Sequence, residues 1–438
     1  MDQEERIKQL LDRIDQLERE NELLKRRIAE LESRLAQYEN AHTPPSLRRG
    51  GKRKKDLKEG DKGKPGQKIG HIGLTRPTAK PDRQVQVTKE ICPDCGAKLG
   101  DPFGMESIIV EDIPEPQPVT VTEYKICHYI CPCCQKEVIA DDPGCPKEGR
   151  FGNNTIAQVA LLKYGDRLPH RKIQNTLRRI YGLVISPATI LDLTRRAADA
   201  VQSEYEAILS RIRNAPVLYI DETSIRVQGK NHWIWVFTTP SEAFFVIRKS
   251  RGMKVLLEVL TRKFKGIIVC DGWKSYSDFT DRIQRCWAHL LRESKDLAEK
   301  VSEAIPLHEA LRDLYEQLTD ALKSDPPPEV REVLWCSARA RLNQIINGVY
   351  ANLKVRSFIG KISNGFEFWF TFIIQPGVEP TNNRAERALR EHVVLRKIIG
   401  TLRNRKGTAI HERIMTVLAT WSLQGLDSLK VLRIKLSS

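Results

Sequence analysis

Residues 216–223 read PVLYIDET and residues 266–273 read GIIVCDGW. Each stretch is a short apolar run that ends at an aspartate, Asp221 in the first and Asp271 in the second. Apolar runs of this length, rich in β-branched residues, predict buried β-strands. Each strand would then deliver a carboxylate at or near its end.

Two further strands and a helix are predicted between these aspartates. Residues 232–238 (HWIWVFT) and 243–247 (AFFVI) are rich in aromatic and β-branched residues and flank a short turn, which predicts a hairpin-like pair. Residues 255–260 (VLLEVL) place apolar side chains at helical spacing. The predicted order is therefore β-β-β-α-β, with an acid after the first strand and another after the last.

This order is the layout of the ribonuclease H-like fold, which brings both acids together at adjacent central strands. A third carboxylate comes from Glu386, because residues 381–390 (TNNRAERALR) follow Pro376 and Pro380 and predict the start of a helix. The expected fold class is multi-domain α/β, with a ribonuclease H-like mixed-sheet core. We expect a coiled coil, a zinc-ribbon-like module and a helical DNA-binding region to precede this core.

Asp221, Asp271 and Glu386 are candidate ligands for divalent cations. Carboxylate oxygens select Mg²⁺ or Mn²⁺, and two such ions about 4 Å apart can activate an attacking oxygen and stabilise a leaving oxygen at phosphorus. For any single acid, an exposed and solvated carboxylate is the simpler interpretation. The prediction therefore depends on all three acids together with the strand order.

Charge and composition restrict the partners of the chain. The sequence carries 72 Lys and Arg and a formal net charge of +16, which favours a polyanion such as DNA over an acidic membrane surface. No apolar run approaches the roughly 20 residues that span a bilayer, and nothing in the N-terminal sequence predicts export. We expect a cytoplasmic protein whose ten cysteines favour metal binding over disulfides.

A heptad repeat occupies residues 1–40. Its a positions are Ile7, Ile14, Asn21, Ile28 and Leu35, and its d positions are Leu10, Leu17, Leu24, Leu31 and Tyr38. This register predicts a parallel coiled-coil homodimer in which Asn21 meets its twin. The alternative is one amphipathic helix folded back on its own chain.

A basic segment and a cysteine-rich segment follow. Residues 41–84 combine many Lys and Arg with Pro and Gly, which predicts a flexible arm that tracks DNA phosphates or, alternatively, a solvated tether. In residues 85–145, the pairs Cys92/Cys95 and Cys131/Cys134 each have Cys-x-x-Cys spacing and predict one structural zinc ion with four thiolate ligands. Competing ligands are Cys127, His128, Cys133 and Cys145.

Residues 146–213 predict a helical, helix-turn-helix-like region. A helix over residues 172–181 breaks at Gly182, and a second helix begins at Ser186-Pro187 and carries Arg195 and Arg196. These arginines could read DNA, but ordinary helical packing explains the pattern equally well.

Six ordered motifs resemble the IS66 family of insertion-sequence transposases. They are TPPS at 43–46, KPGQKIGH at 64–71, the cysteine segment, DET at 221–223 with DGWKSY at 271–276, CWAH at 286–289, and NNRAER at 382–387. The arm lacks the family's usual second Gly and Pro, and Leu290-Leu291 replaces a more basic stretch. Neither departure touches the three acids.

The resemblance implies a DDE transposase that binds element ends through its N-terminal half and uses Asp221, Asp271 and Glu386 as metal ligands. It implies a catalytic domain at 214–425 with a helical insertion at about 280–375, a tail at 426–438, and element-encoded helper proteins as further partners. The candidate DNA contacts are Arg384, Arg387, Arg390 and His289. For His289, packing of the insertion against the core is the alternative.

Two other functions use some of the same features. A metal-dependent nuclease or resolvase would share the acids but would need no heptad repeat or long N-terminal region. A catalytically silent DNA-binding regulator would need the N-terminal modules but not Glu386. Inverted repeats flanking the coding sequence favour a mobile element over both.

Overall fold

The computed structural model describes residues 16–31, 79–142, 144–146 and 148–437. Residues 16–31 form an exposed helix, α1. The remainder of the predicted heptad repeat and residues 41–78 of the basic arm lie outside the described residues. The dimer and the DNA-tracking arm therefore stay predictions.

We expect residues 1–40 to form a parallel dimer, because Ile and Leu at the a and d positions bury a continuous apolar seam. Sedimentation equilibrium of this segment should give the mass of a dimer. Replacing Asn21→Ile should raise the stability of the assembly and loosen its preference for two strands. A monomer at high micromolar concentration would exclude the dimer.

The cysteine segment consists of small hairpins with little buried surface. Strands β1 (His128–Ile130) and β2 (Glu137–Ile139) pair antiparallel, and an isolated antiparallel bridge joins Ile91 to Lys98. The side chains of both strands are exposed. Packing of apolar side chains therefore contributes little to this part of the fold.

A five-stranded mixed sheet organises the rest of the chain. Its strands are β3 (Val217–Val227), β4 (Lys230–Thr238), β5 (Ala243–Arg248), β6 (Ile267–Cys270) and β7 (Ile283–Arg285), in the order β5-β4-β3-β6-β7. β3, β4 and β5 pair antiparallel, whereas β6 is parallel to both β3 and β7. The first four strands and the helix α6 (Met253–Leu260) follow the order predicted from the sequence.

The structure corrects one boundary, because β3 does not stop near Asp221. Its ladder with β4 continues to the pair Val227–Lys230, so Asp221 lies in the middle of an eleven-residue strand. The continuation follows from alternation, since Ile225 and Val227 are buried on the same side of the strand. A polar residue in a buried strand interrupts the apolar run but not the hydrogen-bond ladder.

The helices on either side of the sheet share one hydrophobic core with it. The N-terminal group comprises α2 (Asn153–Tyr164), α3 (His170–Tyr181), α4 (Pro187–Ala200) and α5 (Gln202–Arg213). After β6 come α7 (Lys274–Phe279), α8 (Trp287–Ala298), α9 (Ala304–Leu322), α10 (Pro328–Ile346), α11 (Leu353–Ser363), a short 3₁₀ helix (Phe366–Phe368) and α12 (Thr371–Ile374). The last helices are α13 (Asn383–Ile399), α14 (Arg405–Leu423) and α15 (Ser428–Ser437).

The last of these helices lies within the C-terminal tail predicted at residues 426–438. Within the described residues, Ser428–Ser437 form α15, which contacts α2 and α4 and buries Leu432. The helical region at 146–213 likewise belongs to the same core as the sheet, through residues such as Ile190 and Ile208. These segments therefore fold with the sheet rather than beside it.

Helix α14 protects the exposed edge of the sheet at β5. Backbone N–H groups of Ala243, Phe245 and Ile247 donate to side chains on α14 at 3.1, 3.0 and 2.7 Å. The acceptors are Thr420, Thr416 and Glu412, four residues apart and hence on one face of the helix. These hydrogen bonds occupy N–H groups at the edge of β5, which prevents the strand from pairing with another chain.

A buried histidine pair makes the fold sensitive to acid. His411 Nε2 lies 3.2 Å from His392 Nδ1, and burial lowers the pKa of His411 to about 4 and that of His392 well below its ordinary value. Between about pH 6.5 and pH 4 the unfolded chain therefore binds protons that the folded chain does not, and stability falls as the pH falls.

We expect the free energy of unfolding to lose on the order of 3 kcal/mol through His411 across that pH range. His411→Gln should flatten this dependence, measured by denaturant unfolding of the full chain at several pH values. His232→Gln, at a partly exposed position in β4, is the control. An unchanged pH dependence in the His411 variant would assign the acid sensitivity to other groups.

Candidate active site

Two adjacent parallel strands and one helix bring the three predicted acids into one region. Asp221 lies on β3, and Asp271 follows the last residue of β6, the parallel neighbour of β3. The start of α13 is tied to the same place, because buried Asn382 donates from Nδ2 to the carbonyl oxygen of Ile220 at 2.8 Å. Glu386 lies in the first turn of that helix.

Burial and neighbouring negative charges disfavour the ionised form of Asp221. The pKa of Asp221 is raised well above its ordinary value, first by burial and then by the charges of Glu222, Asp271 and Glu386. Asp271 and Glu386 are therefore close enough to Asp221 to disfavour its ionised form. A cation placed among them would relieve the repulsion.

Basic side chains of the protein lie close to two of the acids. Glu386 lies 3.4 Å from His289 Nε2 and 3.7 Å from Arg292, and Asp271 lies 3.9 Å from Arg251. Across the part of the chain that is described, no three His, Cys, Asp or Glu side chains converge closely enough to hold one ion. The three acids lie in one region, but their side chains do not converge on one point.

Two oxygen atoms at the start of α13 fit a divalent cation. Asn382 Oδ1 is buried and accepts no hydrogen bond, and buried Glu386 Oε1 has the 3.4 Å contact with His289 Nε2 but no hydrogen bond. A buried oxygen without a donor is costly, and a hard cation satisfies it. The donor set of carboxylate and amide oxygens is therefore suited to Mg²⁺ or Mn²⁺.

A second polar network lies behind Asp221. Both oxygens of Glu222 accept hydrogen bonds at 2.6 Å, Oε1 from Arg251 Nε and Oε2 from the hydroxyl of Tyr276. The Glu222 side chain is fully buried, and burial is the first cause that raises its pKa. Because side chains alternate along a strand, Glu222 points to the opposite side of the sheet from Asp221.

Sequence reasoning missed Arg251 and Arg292. Arg251 lies in the turn before α6, where no periodic pattern singles it out, and its role depends on contacts with β3, β4 and the segment after β6. The sequence gives only a weak indication that Arg292 belongs to the site, because it lies one helical turn after His289 on α8.

The predicted DNA contacts divide into two groups. Arg384 pairs with Glu379 and lies 5.3 Å from the ring centre of Tyr219, so its side chain is largely enclosed. Arg387 and Arg390 are exposed on α13 beside Glu386. The geometry leaves these two arginines accessible to a polyanion.

The two predicted zinc-binding pairs have the same local geometry. In each, the N–H of the first cysteine donates to the carbonyl oxygen five residues on, at 2.9 Å for Cys92 and 2.8 Å for Cys131. Backbone N–H groups, first those of Cys95 and Cys134, lower the pKa of Cys92 and Cys131 respectively. The first cysteine of each pair therefore favours thiolate, but the described residues do not bring three or more of these ligands together.

Both helices that the sequence predicts in the helix-turn-helix-like region are present, as α3 and α4. Gly182 closes α3 with φ 64°, and Ser186 caps α4 by accepting from Thr189 N at 3.1 Å. Arg195, however, donates to Asp192, Asp199 and Glu148. DNA reading by this helix stays a prediction, and its arginine already has three acidic partners.

Comparison with known proteins defines the class as transposase. The family model described as Transposase IS66 family matches residues 148–410, more than half of the chain. The chain belongs to the IS66 transposase family, as the sequence motifs predicted.

Two curated relatives come from Sinorhizobium fredii. The chain is 22% identical over 308 residues to the uncharacterized protein y4qI, covering 63% of this chain and 57% of the relative. It is 21% identical over 339 residues to the uncharacterized protein y4jD, covering 68% of this chain and 65% of the relative. The chain thus spans less than two thirds of either relative. Separately, none of the described helices is both long and apolar enough to cross a bilayer.

Proposed function

We propose that this protein is a DNA transposase that binds the ends of an insertion sequence and catalyses metal-dependent strand cleavage and transfer. The observation that carries the proposal is geometric: Asp221 lies on β3, Asp271 follows the parallel strand β6, and Glu386 lies in the first turn of α13, whose start is tied to β3. Membership of a transposase family supports DNA as the substrate.

The strand order supports a ribonuclease H-like core. Three antiparallel strands are followed by two parallel ones in the order β5-β4-β3-β6-β7, with the first acid on the central strand. The second acid follows the parallel neighbour of that strand. The helices between β7 and α13 correspond to the expected insertion.

Asp221, Asp271 and Glu386 would hold Mg²⁺ or Mn²⁺, with Asn382 Oδ1 as a further oxygen donor. The bound ions would activate the attacking oxygen and stabilise the oxygen that leaves phosphorus. Arg251 and Arg292 already offset part of the charge of Asp271 and Glu386, and His289 lies beside Glu386. In the complex Arg292 is placed to contact phosphate oxygens instead, while Arg251 stays hydrogen-bonded to Glu222.

The remaining assignments concern partners and place of action. Arg387 and Arg390 contact DNA phosphates, the N-terminal heptads join two chains, and the Cys92/Cys95 and Cys131/Cys134 pairs share a structural zinc. The protein acts on DNA in the cytoplasm, with element-encoded helper proteins as further partners.

Cleavage of a labelled element end tests the proposal. The substrate is a duplex carrying the inverted repeat that flanks the coding sequence, incubated with and without Mg²⁺. We expect cleavage at the repeat boundary and joining to a second duplex, both dependent on Mg²⁺. Cleavage without joining would favour the nuclease alternative, and binding without cleavage would favour the silent regulator.

A further inference from the structure

One exposed tryptophan beside the acids is held in place by a buried network. The guanidinium of Arg251 lies 4.8 Å from the ring centre of Trp233 and 4.2 Å from that of Trp273. Arg251 is itself fixed by its 2.6 Å hydrogen bond to fully buried Glu222. The indole of Trp273 is thus supported by a cation that cannot easily move.

Trp273 is also directly attached to the candidate site. Its backbone N–H donates to Asp271 Oδ1 at 2.8 Å, yet 43% of the residue is exposed. The other six tryptophans, all among the described residues, are buried or partly buried. Nothing among the described residues covers the exposed part of this ring, although it is a large apolar surface.

The place and chemistry of this ring indicate its partner. A flat aromatic surface stacks on flat aromatic groups, and every nucleobase has such a face. In intact duplex DNA these faces are covered by neighbouring bases, so the ring can stack only where the base stack is interrupted. A phosphate attacked next to Asp271 would bring its flanking base to Trp273.

We propose that Trp273 stacks on an unpaired nucleobase flanking the scissile phosphate and holds it out of the duplex. This inference rests on the proposed function, because it places the scissile phosphate beside Asp271. The ring is already ordered by Arg251, so stacking costs little conformational entropy. The stacking energy offsets part of the cost of unstacking the base.

The test compares the cleavage rates of Trp273→Ala and of the unaltered protein. Both are measured on intact element ends and on a series of ends in which one abasic site occupies each position flanking the cleavage site in turn. We expect Trp273→Ala to slow cleavage about 5- to 150-fold on intact ends, the range that loss of one base–aromatic stack gives. At one position, the abasic site should make the cleavage rates of Trp273→Ala and the unaltered protein equal. Trp273→Phe should retain most of the activity.

Trp335 supplies the matched control, since Arg339 lies 4.5 Å from its ring centre in the helical insertion. For Trp335→Ala, the ratio of the cleavage rates on intact and abasic ends should equal that of the unaltered protein. The ratio is compared because it does not depend on how much of the variant is folded. A Trp273→Ala deficit that persists at every abasic position would overturn the proposal, as would full activity on intact ends.

A binding measurement separates this inference from the proposed function. Without divalent metal, an element end with a single-stranded flank should quench tryptophan fluorescence more in the unaltered protein than in Trp273→Phe, and an abasic flank should abolish the difference. If cleavage is absent but this quenching is present, the proposed chemistry fails while stacking stands. If cleavage depends on Asp271 but the quenching difference is absent, stacking fails alone.

Discussion

Asp221→Asn, Asp271→Asn and Glu386→Gln are each expected to lower strand cleavage and joining by about 10³-fold or more. An amide keeps the volume of the carboxylate but loses the charge that holds a divalent cation. Binding of the element end should change little, because it depends on Lys and Arg that neutralise phosphates. Cleavage assays and filter binding on the same labelled end measure the two effects separately.

Glu222→Gln is the matched control for these variants. Glu222 neighbours Asp221 in sequence and is buried, but both of its oxygens already accept hydrogen bonds, from Arg251 and Tyr276. Glu222→Gln should slow cleavage less than Asp221→Asn does. The remaining effect would come from a change in the position of Arg251, which Glu222 holds. Full joining by any variant of the three acids would remove that residue from the site.

Cys95→Ser combined with Cys134→Ser is expected to remove zinc from the protein entirely. One thiolate would be lost from each pair, leaving two of the four ligands that a structural zinc requires. Metal analysis should find about one equivalent in the unaltered protein and none in the double variant.

Cys336→Ser is the control for zinc loss, because Cys336 is an exposed cysteine on α10, far along the chain from both pairs. It should leave the zinc content unchanged. Zinc retained by the double variant would assign the site to the competing ligands Cys127, His128, Cys133 or Cys145.

Much of the sheet around the candidate site was predictable because its signals are local. The apolar runs before Asp221 and Asp271 are too regular for loops, and the prolines before Glu386 mark a helix start. The structure has strands and a helix at these places. Local patterns also predicted the turn at Gly182 and the cap at Ser186.

The features that sequence reasoning missed depend on contacts between distant segments. Arg251 acquires its position only when Glu222, Trp233 and Trp273 surround it. Helix α14 has an ordinary amphipathic sequence, and nothing local indicates that its polar side chains satisfy the edge of β5. The continuation of β3 past Asp221 likewise depends on its ladder with β4.

Binding of Mn²⁺ to the complex with an element end tests the central claim most directly. Electron paramagnetic resonance would count the bound ions in the unaltered protein and in Asp221→Asn, Asp271→Asn and Glu386→Gln, with Glu222→Gln as the control. The account predicts saturable Mn²⁺ binding that each of the three substitutions weakens and the control largely retains. Binding of equal stoichiometry and affinity in all three variants would contradict it.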